Sequence, residues 1–129
     1  MIPDPIDDAS ISDAAELLRR INAHWWVPNE RTGGRRVSSA AFENSRDGSG
    51  TSVAIAAETS PDELLNGYPG YGLASLTAGK AREQQQRVCR VPLDGMPWHA
   101  QIEGKKTGSV KKALSSACKI LVEPTSDSF

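Results

Sequence analysis

Trp98, Ala100 and Ile102 alternate with His99, Gln101 and Glu103. This period-two pattern predicts a strand with the three apolar residues on its inner face. Gly104, Lys105 and Lys106 break the run, and Thr107 or Ser109 offers a hydroxyl to cap a following helix. In that helix Val110, Ala113, Leu114, Ala117, Cys118 and Leu121 recur at helical spacing as one apolar stripe. Lys111, Lys112, Ser115, Ser116 and Lys119 fall off the stripe, and a short strand closes the segment by Val122.

The same reading extends upstream. Ala14, Leu17, Leu18 and Ile21 share a helical face, which predicts a helix over 12–21 capped by Ser12 or Asp13. Ala23 to Pro28 (AHWWVP) suits a strand or extended segment, with one tryptophan ring in the core and the other on the surface. Asn29 to Arg36 (NERTGGRR) reads as a loop, and it runs into a short strand or helix over 37–42. Residues 43–50 form a second polar loop. Thr51 to Ala57 is a buried strand with Val53 and Ile55 on one face. Ser60-Pro61-Asp62-Glu63 opens a short helix that stops at Gly67, and Tyr68 to Gly72 turns the chain. A strand over 73–76, a helix capped by Thr77, a strand over 87–91 and a turn at Asp94-Gly95 lead back to Trp98. The second half therefore reads β-α-β-β-α-β. The expectation is an α+β fold, a small single domain with a mixed sheet and three to four helices. Residues 1–10 form an acidic flexible arm, 11–122 the domain and 123–129 a flexible tail.

Composition changes this picture little. The 129 residues can bury a core without disulfides or metals. A net charge of −1 gives no global signal for nucleic acid. The charge is unevenly spread, however. Asp4, Asp7, Asp8, Asp13 and Glu16 stand without a base in residues 1–16, and residues 104–119 hold five lysines and no acid. The acidic end serves solubility, lies near the basic helix, or marks a partner-facing end. Cys89 and Cys118 form no CxxC pair or Cys/His cluster, so no zinc, other metal or cofactor is expected. No apolar run is long enough for a membrane span, and MIPDPIDD lacks the pattern of a secretion signal. The expected location is the cytoplasm.

Two stretches carry candidate chemistry. Arg31, Arg35 and Arg36 flank Gly33-Gly34 and precede paired serines, a combination able to hold a phosphate or carboxylate, although the spacing is not that of a P-loop. Trp25 and Trp26 beside these arginines are either packing residues or a stacking platform. Lys105, Lys106, Lys111 and Lys112 surround a glycine turn and a helix N-terminus, which favours anions. The plain alternative is a solvated helix face.

The segments HWWVPNE, GGRRVSSAAF, GYPGYGLASLTAGKAR and HAQIEGKKTGSV resemble a group of small bacterial proteins of similar length without assigned activity, over about residues 17–121. The resemblance implies a bacterial, intracellular, single-domain protein and transfers no functional residue.

Catalysis finds little support in the residues. His99 and Glu103 share a strand face but lie roughly 13 Å apart at ~3.3 Å per residue, too far to act as a pair. Ser38 or Ser39 could complete a Ser-His-acid group only through the fold, and there is no nucleophile elbow. By analogy with small NAD-using transferases of the ADP-ribosyl type, Arg20 or Arg36, Ser38 or Ser39, and Glu103 could surround a nicotinamide. The preferred expectation is an accessory or binding module that contacts a protein partner, with nucleic acid as a possible anionic partner, no membrane and no catalysis of its own.

Overall fold

A computed structural model of the chain describes residues 6–45 and 49–125. Among the described residues eight strands and three α-helices occur in the order β1 (Glu16–Ile21), β2 (Trp26–Pro28), β3 (Arg35–Val37), β4 (Thr51–Ile55), α1 (Pro61–Leu65), β5 (Gly72–Thr77), α2 (Ala78–Glu83), β6 (Arg87–Arg90), β7 (His99–Glu103), α3 (Gly108–Ala117) and β8 (Lys119–Val122). Six strands form one sheet in the order β6-β7-β4-β1-β5-β8, and β2-β3 is a separate hairpin. The result is a small α+β domain. All strand pairs are antiparallel, so the sheet is not mixed in strand direction.

The helix expected over 12–21 is instead β1, an inner strand that pairs with β4 on one side and β5 on the other. Leu17 and Ile21 join the larger core cluster, whereas Leu18 joins a second cluster on the opposite face. A strand covered on both faces buries adjacent residues, and over six residues that pattern coincides with helical spacing. Pairing along both edges then decides the matter.

The second half follows the predicted β-α-β-β-α-β order. Each helix begins at a side-chain cap: Ser60 accepts from the Glu63 N–H, Thr77 from Lys80 and Thr107 from Val110. On the face bearing α2 and α3 the core gathers Phe42, Val53, Ile55, Leu76, Ala81, Val88, Ala100, Ile102 and Leu114. On the other face Leu18, Ala54, Leu64 of α1, Leu73 and Trp98 pack together.

Two apolar expectations change. Trp98 does not share the inner face of Ala100 and Ile102. It lies in the turn before β7, belongs to the second cluster, and donates its indole N–H to Glu63 at 3.2 Å. Leu121 is not on the α3 stripe but in edge strand β8, where it is 51 % exposed. The β5–β8 register pairs Ala74 with Ile120 and Leu73 with Val122, leaving Leu121 as an extra residue in a bulge. The bulge reverses the alternation, so Ile120 packs against one core and Val122 against the other.

The acidic N-terminal segment approaches α2 and β6, not the lysines of α3. Arg82 donates to Asp7 at 3.0 Å and Asp13 at 2.7 Å, and Asp7 also accepts from the Val88 N–H. Burial works against the charge on Asp7, yet these two donors outweigh it and hold its carboxyl below the usual range. Residues 1–5 of the expected arm and 126–129 of the expected tail lie outside the described residues; Thr125 donates its backbone N–H to Gly70. Among the described residues no helix is long and apolar enough to cross a membrane.

Candidate anion-binding cleft

The hairpin is built to present its arginines. Its loop is held by the Asn29 N–H on the Gly34 carbonyl at 2.7 Å and the Gly33 N–H on the Asn29 carbonyl at 2.8 Å. Gly33 takes φ +81°, a left-handed conformation in which a Cβ would be strained. The Asn29 side chain accepts from the Arg31 N–H, so the residues expected to be a flexible loop form a hydrogen-bonded turn. At the base of the hairpin Trp26 pairs with Val37, and both pack against the main core.

This hairpin faces α3 and the start of β8 across a cleft of about 710 Å³. Arg31, Arg35 and Arg36 line it from the hairpin, and Lys112 lines it from α3. Trp26, Val37, Cys118 and Ile120 also line it, together with Ser39, Ser115 and Ser116. Among the described residues no acidic side chain lines it. Gly108, the first residue of α3, also borders the cleft, and a Cβ added there would meet nothing within 4 Å. Two sequence segments more than 70 residues apart, each a candidate on its own, thus meet in one place.

The other candidate residues lie elsewhere. Lys105 is exposed outside the cleft. Lys106 is folded inward: its ammonium donates to the Asn44 side chain at 2.8 Å and to the Ile102 and Gly104 carbonyls at 2.9 and 3.2 Å. Lys111 pairs with Glu43 at 3.3 Å. Trp25 is half-buried with the Arg19 guanidinium 5.3 Å from its ring centroid. Both tryptophans are therefore half-buried, where one core ring and one surface ring were expected.

Arg19 is the contact that sequence reasoning missed. It projects from β1 and donates to the carbonyls of Ala41 and Ser52, both at 2.8 Å. Burial, with a smaller contribution from Arg20, lowers its pKa to about 10. Its neighbour Arg20 donates to Leu64 and stacks 4.0 Å from the Tyr68 ring centroid. Adjacent arginines on a strand point to opposite faces, which the helical reading of this segment concealed.

The catalytic candidates are not collected together. A His99 ring nitrogen bonds the Val91 carbonyl at 2.8 Å at one end of β7, and Glu103 accepts from the Gly50 N–H at 2.8 Å at the other. Ser38 caps the 3-10 turn over Ser39–Phe42. Of the residues expected around a nicotinamide, Arg36 and Ser39 line the cleft, whereas Arg20 and Glu103 do not. A second cavity of about 60 Å³, beside Arg20 and Trp98, has room only for a few waters. Among the described residues no group of three or more His, Cys, Asp or Glu could hold a metal ion.

Burial lowers the Lys106 pKa from 10.5 to about 8, against the attraction of Glu103. The folded chain therefore loses this proton before the unfolded chain does. Between about pH 8 and 10.5 this one group raises stability as pH rises, and below that window it is a cost. Cys118, pushed by burial up to about 12, acts in the opposite sense as pH rises above its ordinary 9.0. Comparing the wild type with Lys106→Met cancels the thiol, which both chains share. Denaturant unfolding at the two ends of the Lys106 window should show a more favourable change with pH for the wild type. Equal changes in the two chains would contradict the burial of this ammonium.

No family model, curated protein or solved structure matches this chain.

Proposed function

We propose that this protein is a binding or accessory module that holds an anionic partner, protein or otherwise, in the cleft between the β2–β3 hairpin and α3, and that it carries out no catalysis of its own. One observation carries the reading. Arg82, Arg90, Lys80 and Lys111 each face a carboxylate. Arg31, Arg35, Arg36 and Lys112, in contrast, all line one cleft, whose lining among the described residues includes no acid. Among the described residues, no side-chain hydrogen bond or ion pair engages any of the four. Like charges lining one cleft repel one another, and an anion entering the cleft relieves that repulsion. Arginine forks also match the planar geometry of carboxylate and phosphate. The reading without catalysis is supported by the engagement of His99, Glu103 and Ser38 in bonds to the backbone. A cytoplasmic location is supported by the free thiols of Cys89 and Cys118.

Calorimetric titration with inorganic tripolyphosphate and with polyglutamate tests this. Binding is expected at low salt and should weaken at least several-fold between about 50 and 200 mM salt, because exposed charges are screened. Failure of both polyanions to bind at the lower salt would contradict the proposal.

A further inference from the structure

We infer that the cleft's ligand is a nucleoside polyphosphate, an inference that rests on the anion-binding reading above. The first argument is size. About 710 Å³ falls within the roughly 300–1,000 Å³ of small-ligand pockets, so the cleft admits a whole nucleotide rather than only an isolated phosphate. The second is the ratio of groups. The cleft sets four cations, Arg31, Arg35, Arg36 and Lys112, around a single aromatic side chain, Trp26. A nucleic-acid strand carries one phosphate for each base, and sites built for it repeat the stacking ring along a charged groove. A nucleoside di- or triphosphate instead concentrates several phosphates on one base, which is the ratio found here.

The third argument is the division of the walls. Half-buried Trp26, paired across the hairpin with Val37, and Ile120 both line the cleft and give it an aromatic and an apolar element that a base can use. The arginines extend from the exposed part of the hairpin, and Lys112 answers them from α3. Ser39 and Ser116 bring further polar side chains to the lining, whereas the Ser115 hydroxyl donates to the Lys112 carbonyl at 3.0 Å. An acidic peptide would use the cations equally well, but it has no need of an aromatic surface at the base of the hairpin.

The test is calorimetry on the full chain with ATP, ADP, AMP, adenosine, inorganic tripolyphosphate and a short single-stranded oligonucleotide. ATP should bind about ten-fold more tightly than tripolyphosphate, since stacking adds to the shared phosphate contacts. AMP should be weaker than ADP, and adenosine weaker again. Trp26→Leu should weaken ATP more than tripolyphosphate and so remove the advantage of ATP over tripolyphosphate. Trp26→Phe, which keeps a ring against the core, should retain part of it. Equal affinity for ATP and tripolyphosphate would overturn the nucleotide assignment and leave the anion-binding reading standing. Tighter binding of the oligonucleotide than of ATP would overturn it in favour of a strand. If no phosphate compound binds but polyglutamate does, the nucleotide assignment fails alone. If neither binds, both readings fail.

Discussion

Leu114→Ala should lower stability by about 2–5 kcal/mol, the range for removing a leucine from a closed core. Leu114 is fully buried, and it is the position where α3 is anchored to the core that also holds Phe42, Ala81 and Ile102. Its stripe neighbours are weaker anchors, since Val110, Ala113, Ala117 and Cys118 are only half-buried. α3 crosses beneath the sheet from β7 to the opposite edge at β8. A loosened α3 therefore frees β8 as well. A typical domain is stable by about 5–15 kcal/mol, so this single truncation removes a large share, and the thermal midpoint should fall by on the order of 10 °C. The cleft should suffer too, because Lys112, Ser115 and Ser116 ride on α3. A melt displaced by less than about 1 kcal/mol would mean that α3 is not packed as described.

The second large effect is on binding. Replacing Arg31, Arg35, Arg36 and Lys112 together by Gln should weaken polyanion binding by about 100-fold or more, since each charge-assisted contact contributes around 1 kcal/mol or more and several act at once. All four are exposed, so the substitutions should leave stability close to that of the wild type. Relief of mutual repulsion could even raise it slightly. The companion variant changes Lys105, Lys106 and Lys111 to Gln. These are the lysines that sequence alone groups with Lys112, but Lys106 and Lys111 are committed to internal partners. That variant should bind polyanions nearly as well as the wild type, because neither of these partnered lysines lines the cleft.

What the sequence reveals of this protein depends on how local the signal is. The strand at Ala100 and Ile102, the Thr107 cap and the stripe through Leu114 are each set within a few residues, and all are found where the pattern puts them. β1 is not local in this sense. Its apolar residues Leu17, Leu18 and Ile21 fit a helix, and only pairing with β4 and β5, some 35 to 60 residues away, makes it a strand. Trp98 and Leu121 fail for related reasons, one because it precedes its strand and the other because a bulge shifts the alternation.

The site was half legible. The arginine turn and Lys112 each stand out as charge on a loop or helix face, and the glycines of the turn signal its shape. Their meeting across a cleft follows from where α3 runs beneath the sheet, which is a property of the whole topology. Ser115 and Ser116 carry no signal beyond being polar, because a serine off an apolar stripe is ordinary. The roles of Lys106 and Arg19 were hidden because nothing in a sequence tells which cations turn inward to carbonyls.

The measurement that bears most directly on the cleft is the tripolyphosphate affinity of the three chains, wild type, cleft variant and companion variant, taken side by side at low salt after each is shown to be folded. The cleft variant should lose about two orders of magnitude while the companion variant stays within a few-fold of the wild type. An equal loss in both, or a loss confined to the companion variant, would contradict the assignment of the cleft as the anion-binding site.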